Sequence, residues 1–307
     1  MASRRKTSQQ ILAELEAEDD SLPARPIGIW SLEKLATLLL YFRAFTTACD
    51  KAGGGYYVDG MAGPGICRLR RARPSPYLAC GSPLIALRTQ PLFERCSFLE
   101  IDQRKVEALR ARVASYATRA AVYQGDVNSD LGRLIHDQVP APAPCFCFLD
   151  PQGIELSFET ISAVARTPGR RRKPELLVLF PLRMALLRLL TLSRPVGART
   201  EQKLHRALGG REWLDIYKAR LSGQIDGTTA KTEYLNLYCN KVRGLGYRWV
   251  RSKAIVAPRT PGTPRQEMYH LVFATDNAAG EKIMRHVFQR HYVLDFPVSG
   301  QRPLFEQ

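Results

Sequence analysis

The sequence predicts an open, doubly wound α/β fold with a Rossmann-like parallel sheet, and three observations carry that prediction. Between residues 56 and 180, short apolar runs alternate with stretches whose apolar residues recur at helical spacing. The first run, Tyr56-Tyr57-Val58, leads directly into a glycine-rich turn, Asp59-Gly60-Met61-Ala62-Gly63-Pro64-Gly65. The run Cys145-Phe146-Cys147-Phe148-Leu149 is apolar throughout, as a strand covered on both faces must be.

Taken in order, residues 1–27 read as an arm with little fixed structure, holding a short amphipathic segment (Ser8 to Glu18) and prolines at 23 and 26. Residues 28–182 read as the α/β core. Ser31 is placed as a helix N-cap, with Glu33 where the helix dipole favours negative charge, and Leu35, Leu38, Leu39, Phe42 and Phe45 form one apolar stripe. Lys34 reads as a solvated lysine, and the helix is expected to end near Cys49 or the Gly53-Gly54-Gly55 run. Ser82 and Pro83 open the next helix, with Pro83 at the first helical position. Strands are expected at Cys96–Asp102, Ala121–Gln124 and Glu175–Phe180, with helices at Arg104–Tyr116 and Ser157–Arg166. Residues 183–307 then read as a helical insertion followed by two β-like runs, Tyr247–Val256 and Glu267–Thr275, and a last helix. Two arrangements are open for those runs: an antiparallel edge on the main sheet, or the wing of a winged helix.

Composition narrows the function classes. The 307 residues are 45% hydrophobic, enough for a sizeable core, yet no apolar run reaches the ~20 residues that span a bilayer. A soluble, cytoplasmic protein that does not associate with membranes is expected. The seven cysteines lack paired CxxC spacing, so no metal site is expected, and Cys145 and Cys147 read as small buried residues sharing one strand face. The net charge of +16 points to a polyanionic partner, a nucleic acid, with DNA and RNA both open. Two clusters, Arg68, Arg70, Arg71 and Arg73, and Arg170, Arg171, Arg172 and Lys173, are the candidate grips on its backbone.

The polar residues at strand ends define the candidate ligand site. In doubly wound folds ligands bind outside the carboxyl ends of the strands. There the sequence puts the glycine turn with Asp59, Ala62, Gly63 and Gly65; Glu100, with Asp102 as a second candidate; Asp126, Val127 and Asn128; and Asp150-Pro151-Gln152-Gly153. An acid after the second strand suits ribose hydroxyls. The turn lacks the G-x-G-x-x-G spacing that a dinucleotide oxidoreductase would show.

This order of motifs resembles class I S-adenosylmethionine-dependent methyltransferases. More closely, the chain resembles the three-Cys-motif partner protein family. The residues that match are Glu33-Lys34 with Leu38 and Tyr41, the turn from Val58 to Gly65, Gly81-Ser82-Pro83-Leu84-Ile85-Ala86-Leu87, Asp126-Val127-Asn128, Asp150-Pro151-Gln152-Gly153, and Tyr269 to Thr275. The resemblance spans roughly residues 27–290. It implies S-adenosylmethionine as cofactor, with the glycine turn at the methionyl end, Glu100 at the ribose and Asp126 to Asn128 at the adenine. It implies a three-Cys-motif protein as a partner. Met61 and Gln152 stand where the family usually has Phe, and the arginine-rich stretch at 68–73 is peculiar to this chain. The Asp150 turn is also similar to those of guanine-N2 tRNA methyltransferases. That similarity implies an amino nitrogen as acceptor, with Asp150, Pro151 and Gly153 around it. The rival reading is a catalytically silent nucleic-acid-binding partner that keeps the fold.

Overall fold

The computed structural model describes residues 7–70, 77–192, 195–257 and 266–292. Its centre is a seven-stranded sheet. Five parallel strands, β2 (Tyr56–Asp59), β5 (Arg95–Glu100), β6 (Ala120–Gln124), β7 (Cys145–Leu149) and β8 (Glu175–Phe180), are joined by β9 (Trp249–Val256) and β10 (Glu267–Thr275). The order is β6-β5-β2-β7-β8-β10-β9, with β10 antiparallel to both of its neighbours. The carboxyl-terminal runs therefore close the main sheet as its antiparallel edge, and the winged-helix alternative is not the arrangement found. The pattern of β10 explains why: Leu271 and Phe273 are buried in one core while Val272 and Ala274 are buried in the other. Such a strand needs cover on both faces, which a solvent-facing wing does not give.

That period-2 division runs through the whole sheet. Tyr57, Phe146, Phe148 and Leu177 face one apolar cluster, and Val58, Cys145, Cys147 and Val178 face the other. Cys145 and Cys147 share a face as expected, and all seven cysteines are buried thiols. The first face is covered by α2 (Trp30–Cys49), α3 (Ser82–Arg88), α4 (Gln103–Val113) and α11 (Ala278–Phe288). The second is covered by α5 (Val127–Gln138), α6 (Phe158–Ala165) and α10 (Gly227–Gly244). A π-helical turn (Leu182–Leu186) leads from β8 into the short α7 (Leu187–Leu189), then α8 (Ala198–Leu208) and α9 (Trp213–Leu221) complete the helical insertion.

Helix α2 is buried on nearly every side, with Phe42 packed edge-on against Tyr57 at 4.8 Å and against Phe93 at 5.3 Å between ring centres. It begins at Trp30, so Ser31 lies inside its first turn, buried and without a capping bond. Gly81, and not Ser82, occupies the N-cap of α3, which shifts Pro83 to the second helical position.

Three further features differ from the sequence expectation. Residues 8–27 are docked: α1 (Ser8–Leu15) buries Ile11, Leu12 and Leu15, and β1 (Arg25–Ile27) pairs in parallel with β3 (Ile66–Leu69). Strand β3 overlaps the arginine-rich stretch read as a grip on a nucleic-acid backbone, yet it buries Ile66, Cys67 and Leu69 and pairs with β4 (Leu78–Cys80) in a separate three-stranded sheet. The arginines that follow it hide a short run whose apolar members point inward. Helix α5 was masked by the turn residues at its start, although Val127, Leu131, Leu134 and Ile135 form a helical stripe.

Glu175, at the start of β8, accepts hydrogen bonds from Tyr41 of α2 and from Thr275 Oγ1 at 3.0 Å. Burial pushes its carboxyl up to about 7, against these two bonds, which favour its charged form. The folded state thus holds a proton that the unfolded chain releases near 4.5, so this stabilisation is complete below that pH and is lost as pH rises through 7. Replacing Glu175 with Gln is expected to remove that dependence. In urea unfolding, the stability of wild type relative to the variant should fall by about 3 kcal/mol from near pH 4.5 to near pH 8. An unchanged difference between the two proteins would contradict this.

Candidate functional site

The carboxyl ends of β2, β5, β6 and β7 converge where the strand order reverses on either side of β2. A cleft of about 210 Å³ opens there, lined among others by Gly63, Glu100, Asp126, Val127, Asn128 and Asp150. The switch point of an open α/β sheet is the expected place for a ligand.

The glycine turn forms the floor. Gly63 has φ +67, and a Cβ there would meet only the Arg25 side chain, at 3.9 Å, so its α-carbon faces open space. The Gly63 N–H donates to Glu100 Oε2 at 2.8 Å, while Glu100 Oε1 accepts from the N–H groups of Ile101 and Asp102. An ionised carboxylate offers about four acceptor positions, so Glu100 retains capacity for one more donor. Asp102 does not share this role. It caps α4 by accepting from Arg104 N and Lys105 N, and these bonds hold its carboxyl below the usual range.

Asp59 is also absent from the cleft lining. It lies beneath the turn with no exposed surface, accepting from Tyr57 Oη at 2.8 Å and Met61 N at 3.2 Å. Burial pushes it up to about 6, partly offset by hydrogen bonds from Ser82 and Tyr57. Its place is that of a turn organiser, with Ala62 and Gly65 on a smaller adjoining cavity that also touches Asp150. At the third strand end, Asp126 caps α5 through Asn128 N. Asn128 lines the cleft, and three of the four hydrogen-bonding positions of its side chain are taken: Nδ2 donates to Glu155 O, and Oδ1 accepts from Ser157 N and Thr160 Oγ1. Those bonds hold the 155–160 segment and leave one Nδ2 hydrogen uncommitted among the described residues.

Asp150 is the most constrained group. Its Oδ2 accepts from Lys34 Nζ at 2.5 Å and from Arg25 at 2.8 Å, while its buried Oδ1 has no partner among the described residues. Burial alone would raise its pKa, but the charges of Lys34 and Arg25 outweigh it and hold the carboxyl below the usual range. Lys34 is thus a buried ion-pair partner, not a solvated lysine; its sequence signal was its position on the buried stripe of α2, four residues before Leu38 and seven before Tyr41. Arg25 carried no such signal. It reaches the site because Arg112 of α4 holds the preceding segment, donating to Asp20, Pro23 O and Pro64 O. After Asp150, Glu155 accepts from Gln152 N at 2.6 Å and Gly153 N at 2.7 Å and so fixes the turn. Pro151 and Gly153 face a neighbouring apolar pocket with Phe180, Ala207, Leu208 and Tyr238.

No described member of the two basic clusters lines this cleft. Arg170 to Lys173 precede β8 and lie at the amino-terminal edge of the sheet, opposite the cleft. There Arg170 donates to the carbonyls of Val139, Pro140 and Ala143, and Lys173 pairs with Asp276 at 3.0 Å. Arg171 and Arg172 are exposed at that same edge. Arg68 pairs with Asp19 at 3.3 Å and Arg70 is exposed, while Arg71 and Arg73 lie outside the described residues. No helix among the described residues is long and apolar enough to cross a membrane.

The sheet order, with its one antiparallel strand inserted beside the edge, is that of the Rossmann-like methyltransferase fold. No protein-family model and no curated protein matches the chain. Solved structures do. The chain is similar to protein LPL1258 of Legionella pneumophila at TM-score 0.50 and 10% identity, over 84% of this chain and 94% of that one. It is also similar to the METTL16 MTase domain at TM-score 0.42 and 10% identity, over 79% of this chain and 67% of that one. A methyltransferase from Geobacter sulfurreducens gives TM-score 0.39 and 12% identity, over 80% and 79% of the two chains. At 10% identity the likeness to the Legionella protein is one of fold.

The ion triad makes a direct prediction. Lys34→Met should cost about 3 kcal/mol in denaturant unfolding, because a buried carboxylate loses one of its two cations. Adding Asp150→Asn should recover part of that loss, and strictly additive costs would contradict the coupling.

Proposed function

We propose that this protein is an S-adenosylmethionine-dependent methyltransferase that acts on an amino nitrogen of a nucleic-acid base. The observation that carries the reading is the convergence of Gly63, Glu100, Asp126 and Asp150 on one cleft at the switch point of a methyltransferase-type sheet. The residues present fit the cofactor. Open space at Gly63 suits close approach by the methionyl end, the remaining acceptor capacity of Glu100 suits a ribose hydroxyl, and Asp126 with Val127 suits the adenine. Bound there, S-adenosylmethionine would supply an electrophilic methyl on a sulfonium.

The protein's own contribution centres on Asp150. An exocyclic amine must turn its lone pair toward the methyl group, and Oδ1 of Asp150, which has no partner among the described residues, would accept one of its N–H bonds. Lys34 and Arg25 keep Asp150 ionised, which makes it a strong acceptor but a poor proton acceptor near neutral pH. Its role is therefore orientation, and positioning accounts for much of the rate in such a transfer. The Glu155 carboxylate, by holding Gln152 N and Gly153 N, keeps the turn from drifting away from the amine.

Two measurements test this. Calorimetric titration with S-adenosylmethionine should show binding that Gly63→Asp abolishes, because an aspartate tolerates the left-handed backbone yet puts a carboxylate into the cleft. Transfer of a labelled methyl group to RNA or DNA should fall by about 100-fold or more in Asp150→Asn while cofactor affinity stays within a few-fold. Wild-type protein that binds no cofactor would sink the enzyme reading. Binding without transfer to any nucleic acid would favour a silent nucleic-acid-binding partner.

A further inference from the structure

The charge that sequence clustering assigned to two arginine runs has a better-placed source. Residues 181–245 hold twelve Lys and Arg against five Asp and Glu. Within this segment, α8 is amphipathic in an unusual sense: Leu204 and Leu208 are buried, while Arg199, Lys203 and Arg206 are all exposed. At 100° per residue these three fall within an arc of about 60° whose centre lies about 150° around the helix from that of the two leucines, and they span about 10 Å along the axis. None of the three has an ion pair or side-chain hydrogen bond among the described residues, and the one acid of the helix, Glu201, is engaged by His205 at 3.1 Å.

The position of the stripe matters as much as its charge. The carboxyl end of α8, Ala207 and Leu208, lines the same apolar pocket as Pro151 and Gly153 of the Asp150 turn. The stripe therefore starts at Arg206, one residue before the segment of α8 that lines the pocket shared with the Asp150 turn, and leads away from it. Asp150 itself is only 4% exposed, so a base reaching it must be unpaired or extruded.

We propose that the Arg199, Lys203 and Arg206 face of α8 is the phosphate-binding surface for the nucleic-acid substrate, taking the backbone of a single strand whose target base enters at Asp150. This rests on the reading of the cleft as a nucleic-acid methyltransferase site. Repeating phosphates along a strand match a linear row of unpaired cations, and three neutralised phosphates give a salt dependence of defined size.

The test is fluorescence anisotropy with short labelled single-stranded RNA and, separately, DNA, across a salt series, with calorimetry of S-adenosylmethionine in parallel. The charge-reversing variant Arg199→Glu/Lys203→Glu/Arg206→Glu should lose at least about 30-fold in affinity. The neutral variant Arg199→Gln/Lys203→Gln/Arg206→Gln should lower the slope of log affinity against log salt by about 2 units. Both should keep the wild-type melting temperature and cofactor affinity, and Arg171→Glu/Arg172→Glu, at the opposite edge, should bind as wild type does. The proposal is overturned if the α8 variants bind as tightly and with the same salt slope as wild type, if the 171/172 variant is the one that fails, or if wild type binds the cofactor but neither nucleic acid. Nucleic-acid binding lost in the α8 variants of a protein that binds no cofactor would instead uphold this surface and remove the enzyme reading. Which of the two strands binds more tightly distinguishes RNA from DNA.

Discussion

One buried carboxylate shared by two cations ties the architecture together. Asp150 ends the central strand, Lys34 comes from the helix lying across the sheet, and Arg25 comes from the docked amino-terminal segment. Moving these charges out of water costs several kcal/mol each, and only close mutual pairing offsets it. The pairing is therefore intolerant of displacement: β7, α2 and the amino-terminal segment must meet at one point. Helix α2 carries two more buried polar anchors, one in its first turn and one near its middle. Glu33 pairs with Lys253 of β9 at 2.5 Å, and Tyr41 bonds to Glu175 of β8. These polar anchors fix the register of a helix whose apolar surface alone would allow it to slide.

The same constraint bears on the proposed chemistry. Because Oδ2 takes both cations, the buried Oδ1 is left without a partner among the described residues, in a carboxylate that lines the cleft. A single paired cation would leave the carboxyl less firmly ionised and freer to rotate. Pre-organisation of this kind is how a folded chain lowers the cost of orienting a weak nucleophile.

Much of the sheet was legible because its physics is local. Apolar runs such as 145–149 have few alternatives to a central strand, and the acids at Glu100, Asp126 and Asp150 follow directly from strand ends. The position of a cleft residue was legible where it depends on its own strand, as for Glu100. It was not legible where roles depend on partners distant in the chain: Arg25 and Asp150 are 125 positions apart, and nothing local marks Arg25. Asp59 and Asp102 misled because an acid at a turn serves as a cap or turn organiser as readily as a ligand contact. The basic clusters pose a related difficulty. Clustering along the sequence at 170–173 does not reveal which edge of the sheet the cluster occupies, whereas the helical spacing of Arg199, Lys203 and Arg206 groups them on one face without their being neighbours in the chain.

The most direct test of the central claim is a crystal structure of the protein with S-adenosylhomocysteine. The account predicts the ribose on Glu100, the adenine beside Asp126, and the sulfur facing Oδ1 of Asp150, with Lys34 and Arg25 still paired to Oδ2. A ligand bound away from the glycine turn, or an Asp150 that abandons its two cations to contact the ligand's ammonium, would contradict it.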